Sequence, residues 1–297
     1  MARGIGLLGR CGLLVVLAVV PLAAQDDLQA LSDEFDDEAT LANWKRIHQT
    51  EGWNADQLER FDINRTRQGV MMLVPYTNVW YRDYRGELVY KDIEGDFVAT
   101  TRLYVTRRGG GGAPRSSFSL GGILVRAPRE VTPTTWQPGG ENYIFLSLGA
   151  ASQPGQYQWE VKTTVNSNSQ LQLAPAGGAE GQIRIARIGS SLILLRRAPQ
   201  QSWQVHQRYQ RSDFPTALQV GVTAYTDWPT CQRYQPQDHN GRVIRDGRPD
   251  LEVQYDYVRF QRPAVPESLR ERNLMDRAAV PDSALLAFLG DAADQNG

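Results

Sequence analysis

The stretch Asn78–Leu103, NVWYRDYRGELVYKDIEGDFVATTRL, decides the fold. Phe97, Ala99, Thr101 and Leu103 alternate with more polar neighbours, and a period of two is what a half-buried strand requires. Gly95-Asp96 in front of this strand reads as a turn, with Leu88-Val89-Tyr90 as a second strand before it. Ahead of both lies a loop dense in aromatic and charged side chains: Trp80, Tyr81, Asp83, Tyr84 and Arg85. Such a loop offers ring faces and hydrogen-bonding groups together.

Outward from this stretch the chain continues as short strands. Val70–Val74 precedes it, and Gly122–Arg126, Tyr143–Leu148, Gln158–Val165, Gly181–Arg187, Ser191–Arg196, Trp203–His206 and Leu218–Ala224 follow. Ile188-Gly189-Ser190 joins two of these as a hairpin turn. Arg107–Ser117 holds four consecutive glycines, Gly109 to Gly112, and Pro114, which suit a hairpin tip or small insertion and not a strand interior. It lacks the Lys-Ser/Thr ending of a phosphate-binding loop. Leu251–Phe260 closes the series, and its apolar positions change phase near Tyr257, the mark of a bulge or bend. No segment before Pro263 has a helical period. Many short strands between Gly, Pro and Asn signals predict an all-β sandwich of two antiparallel sheets. In the tail, Glu267–Ala278 has weak helical character, and Asp282-Ser283 caps a short helix carrying Leu285, Leu286 and Leu289.

A chain of 297 residues holds one large all-β domain or two small ones. Its 32 basic residues against 33 acidic ones argue against a nucleic-acid partner, which selects a basic excess or stripe. Arg3 and Arg10 precede the apolar run Leu13–Val20, and Pro21-Leu22-Ala23-Ala24 supplies small residues before Gln25. These are the parts of a signal peptide, here residues 1–24. The run is shorter than the ~20 residues of a membrane-spanning helix. The expected mature chain is therefore secreted, periplasmic or in the cell envelope, with no stable membrane span. Its single remaining thiol, Cys231, cannot form an internal disulfide.

The order of motifs resembles concanavalin A-like sandwich domains, in particular the β-xylosidase C-terminal, DUF1349-like group. Gly95-Asp96-Phe97 resembles the turn opening a core strand of that pattern, and Gly121–Arg126 resembles its next glycine-led strand. Trp159–Thr164, Ile183–Arg187, Trp203, Val220–Val222 and Leu251–Tyr257 follow in the same order. The resemblance covers about residues 32–262, with Ser32–Asp36 as a first strand around an inward Phe35. Residues 25–31 form a polar lead-in and 263–297 the tail. It implies a jelly-roll sandwich associated with carbohydrate-active proteins and no particular reaction.

Glycoside hydrolysis needs two carboxylates flanking one bond. Glu94-Gly95-Asp96 lacks the second glutamate of a Glu-x-Asp-x-Glu strand, and Glu252 and Asp256 lie in the closing strand. There is no Gly-x-Ser-x-Gly elbow, and His48, His206 and His239 are scattered without metal-ligand spacing. No catalytic residue or metal ligand is assigned. Calcium is the one cofactor the sequence leaves open: Asp227, Asp238, Asn240, Asp246 and Asp250 supply hard oxygen donors in one loop, without EF-hand order. Sugars bind through aromatic faces against their C–H patches plus polar groups that reach the hydroxyls. Trp80, Tyr81, Asp83 and Tyr84 in one loop, with Tyr225, Asp227 and Trp228 in another, form the candidate ligand-binding set. The rings are expected to stack, and Asp83 and Asp227 to orient hydroxyls. The resulting expectation is a secreted, non-catalytic carbohydrate-binding module with a polysaccharide or glycan partner. An extracellular glycoside hydrolase with an unrecognised acid pair, or a structural or partner-binding envelope protein, stands as the alternative.

Overall fold

A computed structural model describes Met1 and residues 26–53 and 55–294. The expected signal peptide lies outside the described residues apart from its first. The strands run in chain order as β1 (Lys45–Arg46), β2 (Leu58–Ile63), β3 (Met71–Pro75), β4 (Val89–Glu94) and β5 (Phe97–Thr106). They continue as β6 (Ser119–Arg126), β7 (Tyr143–Ala150), β8 (Gln158–Val165), β9 (Asn168–Pro175) and β10 (Glu180–Ile188). The last four are β11 (Ser191–Arg197), β12 (Gln204–Gln210), β13 (Ala217–Tyr225) and β14 (Glu252–Gln261). A front sheet has the order β1-β4-β13-β6-β7-β8-β9, and a back sheet the order β12-β11-β10-β5-β14-β3-β2. Neighbouring strands are antiparallel and sequence neighbours repeatedly cross between sheets, which makes this a two-sheet jelly-roll sandwich.

The period-two pattern fills the space between the sheets. Phe97, Ala99, Leu103 and Val105 of β5 meet Ile123 and Val125 of β6, Ile144, Leu146 and Leu148 of β7, and Trp159 of β8. Tyr255 crosses from the back sheet: its hydroxyl donates to Thr223 O at 2.6 Å and accepts Gly122 N–H at 2.8 Å. A side chain at Gly121 would put its Cβ 2.9 Å from that oxygen and closer still to Val253. The phase change in β14 is a register shift between Tyr255 and Tyr257. The hairpin at Gly189 (φ 58°) pairs Ile188 with Ser191.

Ser32–Asp36 departs from the expected strand. Only Asp33 bridges Val258, and Phe35, fully buried, has φ 59°. Asp33 explains the interruption: its carboxylate accepts Phe35 N–H at 2.9 Å and Trp44 Nε1–H at 2.8 Å, so a local turn replaces a ladder. The long loop after β13 carries two short helices, α2 (Trp228–Cys231) and α3 (Pro236–Gly241), after the single turn α1 (Ile47–Thr50) near the N-terminus. In the tail, α4 (Asp282–Leu289) forms with Leu285, Phe288 and Leu289 buried, but the expected cap by Asp282-Ser283 does not: Pro281 is the N-cap, and Asp282 is drawn to Arg208 and Arg277. Glu267–Ala278 yields only a single 3-10 turn at Glu267–Leu269. Among the described residues no helix is long and apolar enough to cross a membrane.

Candidate functional site

The outer face of the front sheet is where the two aromatic loops meet. The backbones of Asn78 and Thr226 bridge each other, placing residues 76–88 beside the end of β13. Tyr81 and Tyr84 then pair across a tight turn in which Arg82 has φ 50°. The tip is pinned to the opposite edge of the sheet: Arg82 N–H donates to Ser169 Oγ at 2.8 Å, and Gly139 N–H and the Ser167 hydroxyl donate to Asp83 Oδ1. Trp80 is driven into the sheet beneath, where its Nε1–H donates to Glu87 O at 3.1 Å and its ring meets Tyr143 at 5.1 Å. Gly86 permits this, since a Cβ there would lie 2.8 Å from the indole. The second loop turns at Asp227 (φ 71°) and presents Trp228 at the start of α2.

Between the loops lies a pocket of about 210 Å³, lined by Val79, Tyr81, Phe118, Lys162, Leu171, Tyr225 and Trp228. Tyr81 and Trp228 are half-buried and stand edge to face, centroids 5.2 Å apart. Tyr84 supports Trp228 from behind at 5.8 Å and rests on His239 at 5.2 Å. Leu171, 42% exposed, forms the rim on edge strand β9.

The floor is polar and desolvated. Lys162 donates to Trp80 O at 2.8 Å and lies 2.9 Å from Glu160 Oε1, while the rings of Tyr81, Phe118, Phe145 and Tyr225 surround its ammonium at 5.3–5.9 Å. Of the three donors of the ammonium, one is used at Trp80 O and a second faces Glu160. The side chains of Tyr225, Ser147 and Glu160 lie fully buried beside one another beneath it, closed off from solvent. Burial and the neighbouring Glu160 push the Tyr225 pKa well above that of an ordinary phenol, so it stays a neutral donor.

Beside the pocket the same face is filled by a buried charge network. Arg126 donates to Glu141 at 2.9 Å, Glu51 at 2.7 Å and Gln219 at 2.8 Å, Arg129 adds a bond to Glu141 at 2.6 Å, and Arg85 contacts Glu51. Burial alone would raise the Glu141 pKa, but the surrounding Arg126, Arg85 and Arg129 outweigh it and hold it at about 2. Burial lowers Arg85 to about 9. His48, Asp56 and Glu87 bring ligand-type atoms within 4.8 Å of one another, but the cation among them is Arg46, bonded to Glu87 at 3.0 Å and to Asp56 through two N–H groups. Burial opposes that charge, and Glu87 and Asp56 outweigh it, keeping the guanidinium pKa above its usual value.

Of the seven residues chosen from sequence, Tyr81, Tyr225 and Trp228 line the pocket and Tyr84 buttresses it. Trp80 is fully buried and presents no face to solvent, which corrects the expectation that it stacks on a ligand. Asp83 and Asp227 are corrected likewise: Asp83 is taken up as above, and Asp227, 2% exposed, accepts from Thr77 Oγ1 at 2.9 Å and Arg248 N–H at 2.5 Å. The possible calcium donors do not converge. Asp250 accepts the N–H groups of Arg108 and Arg115, Asp246 the Tyr234 hydroxyl, Asp238 pairs with Arg242, and Asn240 bridges Arg85 N–H to Asp83 O. Lys162, Phe118, Val79 and Leu171 escaped the sequence reading. The signal for Lys162 was the outward register of Glu160 and Lys162 on β8, visible once Trp159 and Val161 are assigned inward.

No family model matches the sequence, and no curated protein matches it. In structure the chain is similar to a functionally unknown protein from Saccharomyces cerevisiae, with a TM-score of 0.51 at 14% identity over 76% of this chain and 99% of that one. It is also similar to the GH43 BlXynB protein from Bacillus licheniformis, with a TM-score of 0.51 at 13% identity over 82% of this chain. The match spans 41% of that chain's length. The fold is that of the concanavalin A-like sandwiches. At such identity the likeness is one of fold alone.

Proposed function

We propose that this protein is a non-catalytic carbohydrate-binding module of a secreted or cell-envelope protein, with its site in the Tyr81–Trp228 pocket. The observation that carries the reading is a pocket walled by half-buried rings with the Lys162 ammonium among its lining residues. Apolar ring faces take the C–H side of a sugar, while the Lys162 ammonium among the pocket-lining residues suits a sugar hydroxyl. A GH43 protein among the structural neighbours supports carbohydrate association at the level of the fold. A pocket of about 210 Å³ is below the ~300–1,000 Å³ of sites for drug-sized ligands, which suits one sugar ring and thus a chain end or branch.

The hydrolase alternative needs a carboxyl pair free to exchange protons across a cleft. On this face Glu51 and Glu141 are held by arginines, Glu87 by Arg46, and Glu160 faces Lys162. That pairing favours recognition over acid–base chemistry. The test is a panel of soluble and insoluble polysaccharides presented to the full chain and to Trp228→Ala. Retention by a glycan class that is lost in the variant upholds the reading. Release of reducing ends would replace it with the hydrolase, and retention unaffected by the substitution would move the site elsewhere.

A further inference from the structure

A second cavity adjoins the aromatic pocket. It is an open groove of about 600 Å³ in which Arg115, Arg233 and Arg248 share a surface with Asp227, Asp246 and Asp250. Ser116 and Ser117 of the groove run directly into Phe118 of the pocket, and Asp227 and Pro229 flank Trp228. The groove therefore begins at the residues next to Trp228 and Phe118 in the chain, with Trp228 N–H bonded to Ser117 O at 3.3 Å between the two cavities.

The formal charges of the groove balance, three arginines against three aspartates. Their hydrogen-bonding capacities do not. Asp227 is turned to Thr77 and the Arg248 amide, Asp250 to the amides of Arg108 and Arg115, and Asp246 to Tyr234. The carboxylates are spent on holding the loops together. The three guanidinium groups are exposed and, among the described residues, none is ion-paired; the only side-chain bond is from Arg233 Nε to Pro229 O at 3.3 Å. Elsewhere on the surface Arg102, Arg242, Arg259, Arg262 and Arg277 each hold a carboxylate, while Arg60, Arg82, Arg245 and Arg272 are exposed without an ion pair among the described residues but line no cavity with one another. A planar fork of N–H donors without a partner suits a carboxylate or sulfate oxygen pair.

We infer that the ligand is an acidic glycan: one ring enters the Tyr81–Trp228 pocket while a carboxylate or sulfate substituent, on that ring or its neighbour, is held by Arg115, Arg233 and Arg248. This rests on the carbohydrate reading of the pocket. Because the local charges cancel, attraction acts by contact and not through a long-range field, so a polyanion whose sugar does not fit the pocket gains little.

The test measures the affinity of the full chain for oligogalacturonate, a sulfated galactan oligosaccharide and neutral galactan, with dextran sulfate as a charge control. The same ligands are offered to the Arg115→Gln, Arg233→Gln, Arg248→Gln triple variant, whose fold is checked by its melting temperature. One acidic ligand should bind about tenfold or more tighter than neutral galactan, and the triple variant should erase that margin. Which acidic ligand wins distinguishes carboxylate from sulfate. Equal binding of acidic and neutral ligands, an acidic preference that survives the triple substitution, or dextran sulfate binding as tightly as the best sugar overturns the inference and leaves the pocket reading standing. Binding of no glycan in this set or in the wider polysaccharide panel overturns both.

Discussion

The two outer faces of the sandwich are covered by different means. On the back sheet, Val98, Ala186, Ile193, Leu195 and Trp203 meet Leu274, Val280, Leu285, Phe288 and Leu289 of the tail. Two buried arginines lock this apolar cover to the sheet. Arg184 donates to the carbonyls of Leu289 and Gly290 at the end of α4, where a cation also meets the negative end of the helix dipole, and Arg208 donates to Leu274 O and Val280 O. On the front sheet the cover is loops, and the contacts are ion pairs and rings: Arg126, Glu141, Glu51 and Arg85 on one side, Trp80, Tyr143, Phe145 and Tyr225 on the other. Apolar cover leaves no pocket to fill here, because dispersion and burial ask for no directional partner, and the polar remainder is confined to its arginines, with Arg208 Nε buried and unpartnered among the described residues. Polar cover closes only where each donor meets an acceptor, and beside Lys162 it leaves a cavity.

The sharpest way to break this comparison is to remove one partner from the front-face network. Arg126→Leu leaves the carboxylates of Glu141 and Glu51 buried and short of charge, and should destabilise by about 3–5 kcal/mol in urea titration. Trp80→Ala empties a fully buried site and belongs to the same range. Loss of less than about 1 kcal/mol in Arg126→Leu would mean that water enters this network freely.

On the back face, Leu285→Ala removes an aliphatic side chain at 0% exposure and should cost about 2–4 kcal/mol. The comparison predicts that this loss is insensitive to salt and that it leaves glycan binding intact, since the tail and the pocket lie on opposite faces. A Leu285→Ala variant that unfolds normally but no longer binds would show that the faces are coupled.

A third, smaller effect depends on pH: burial lowers the pKa of His206 on the back sheet to about 4, and on the front face the same holds for His239. His239 is fully buried. Its Nδ1–H faces Asn240 Oδ1 at 2.9 Å, and its Nε2 accepts Val79 N–H at 3.3 Å, so a proton on Nε2 would be set against another donor. Burial, aided by the charge of Arg85, lowers its pKa from 6.5 to about 4. The unfolded chain takes up this proton first as pH falls, so the stabilisation is complete above pH ~6.5 and is lost between there and pH ~4, with about 2 kcal/mol gone by pH 5. Glu141, held at about 2 by its arginines, adds a further loss below its ordinary value of 4.5. Unfolding curves at pH 7 and pH 5 should therefore lie closer together in His239→Gln than in the parent. Equal separations would assign the acid sensitivity elsewhere.

What the sequence made legible follows the same division. Strands with an apolar face toward the core announced themselves: Phe97–Thr106 by its alternation, Leu251–Phe260 even to its bulge. The strands that went unread, Lys45–Arg46, Leu58–Ile63 and Asn168–Pro175, are edges of their sheets, where one side of the ladder faces solvent and the apolar pattern thins. In the site, the aromatic loops were visible as composition, but composition does not say which ring points outward. Trp80 and Trp228 look alike in sequence. They differ because Gly86 opens a slot under the first, while αL geometry at Asp227 aims the second at the pocket. Asp83 and Asp227 misled for a related reason: a loop carried over a sheet must anchor its own backbone, and a carboxylate accepting amide N–H groups is a common way to do so.

The smallest expected change in stability accompanies the largest expected change in binding. Trp228 is half-buried, touches Tyr81 and Tyr84 edge to face, and makes no side-chain hydrogen bond among the described residues. Trp228→Ala should therefore cost only about 1 kcal/mol, near the middle of ordinary substitutions, because Tyr84 keeps its bond to Tyr234 O at 2.7 Å and the turn at Asp227 is held by Thr77 and the Arg248 amide. Affinity for the glycan that the full chain retains should fall by about tenfold or more, since the ring supplies one of the two aromatic walls. Tyr81→Phe separates wall from hydroxyl and should bind nearly as the parent does, because the ring alone is assigned a role. If Trp228→Ala instead unfolds as readily as Trp80→Ala, the indole is part of the cover and the two faces of the sandwich are closed equally completely.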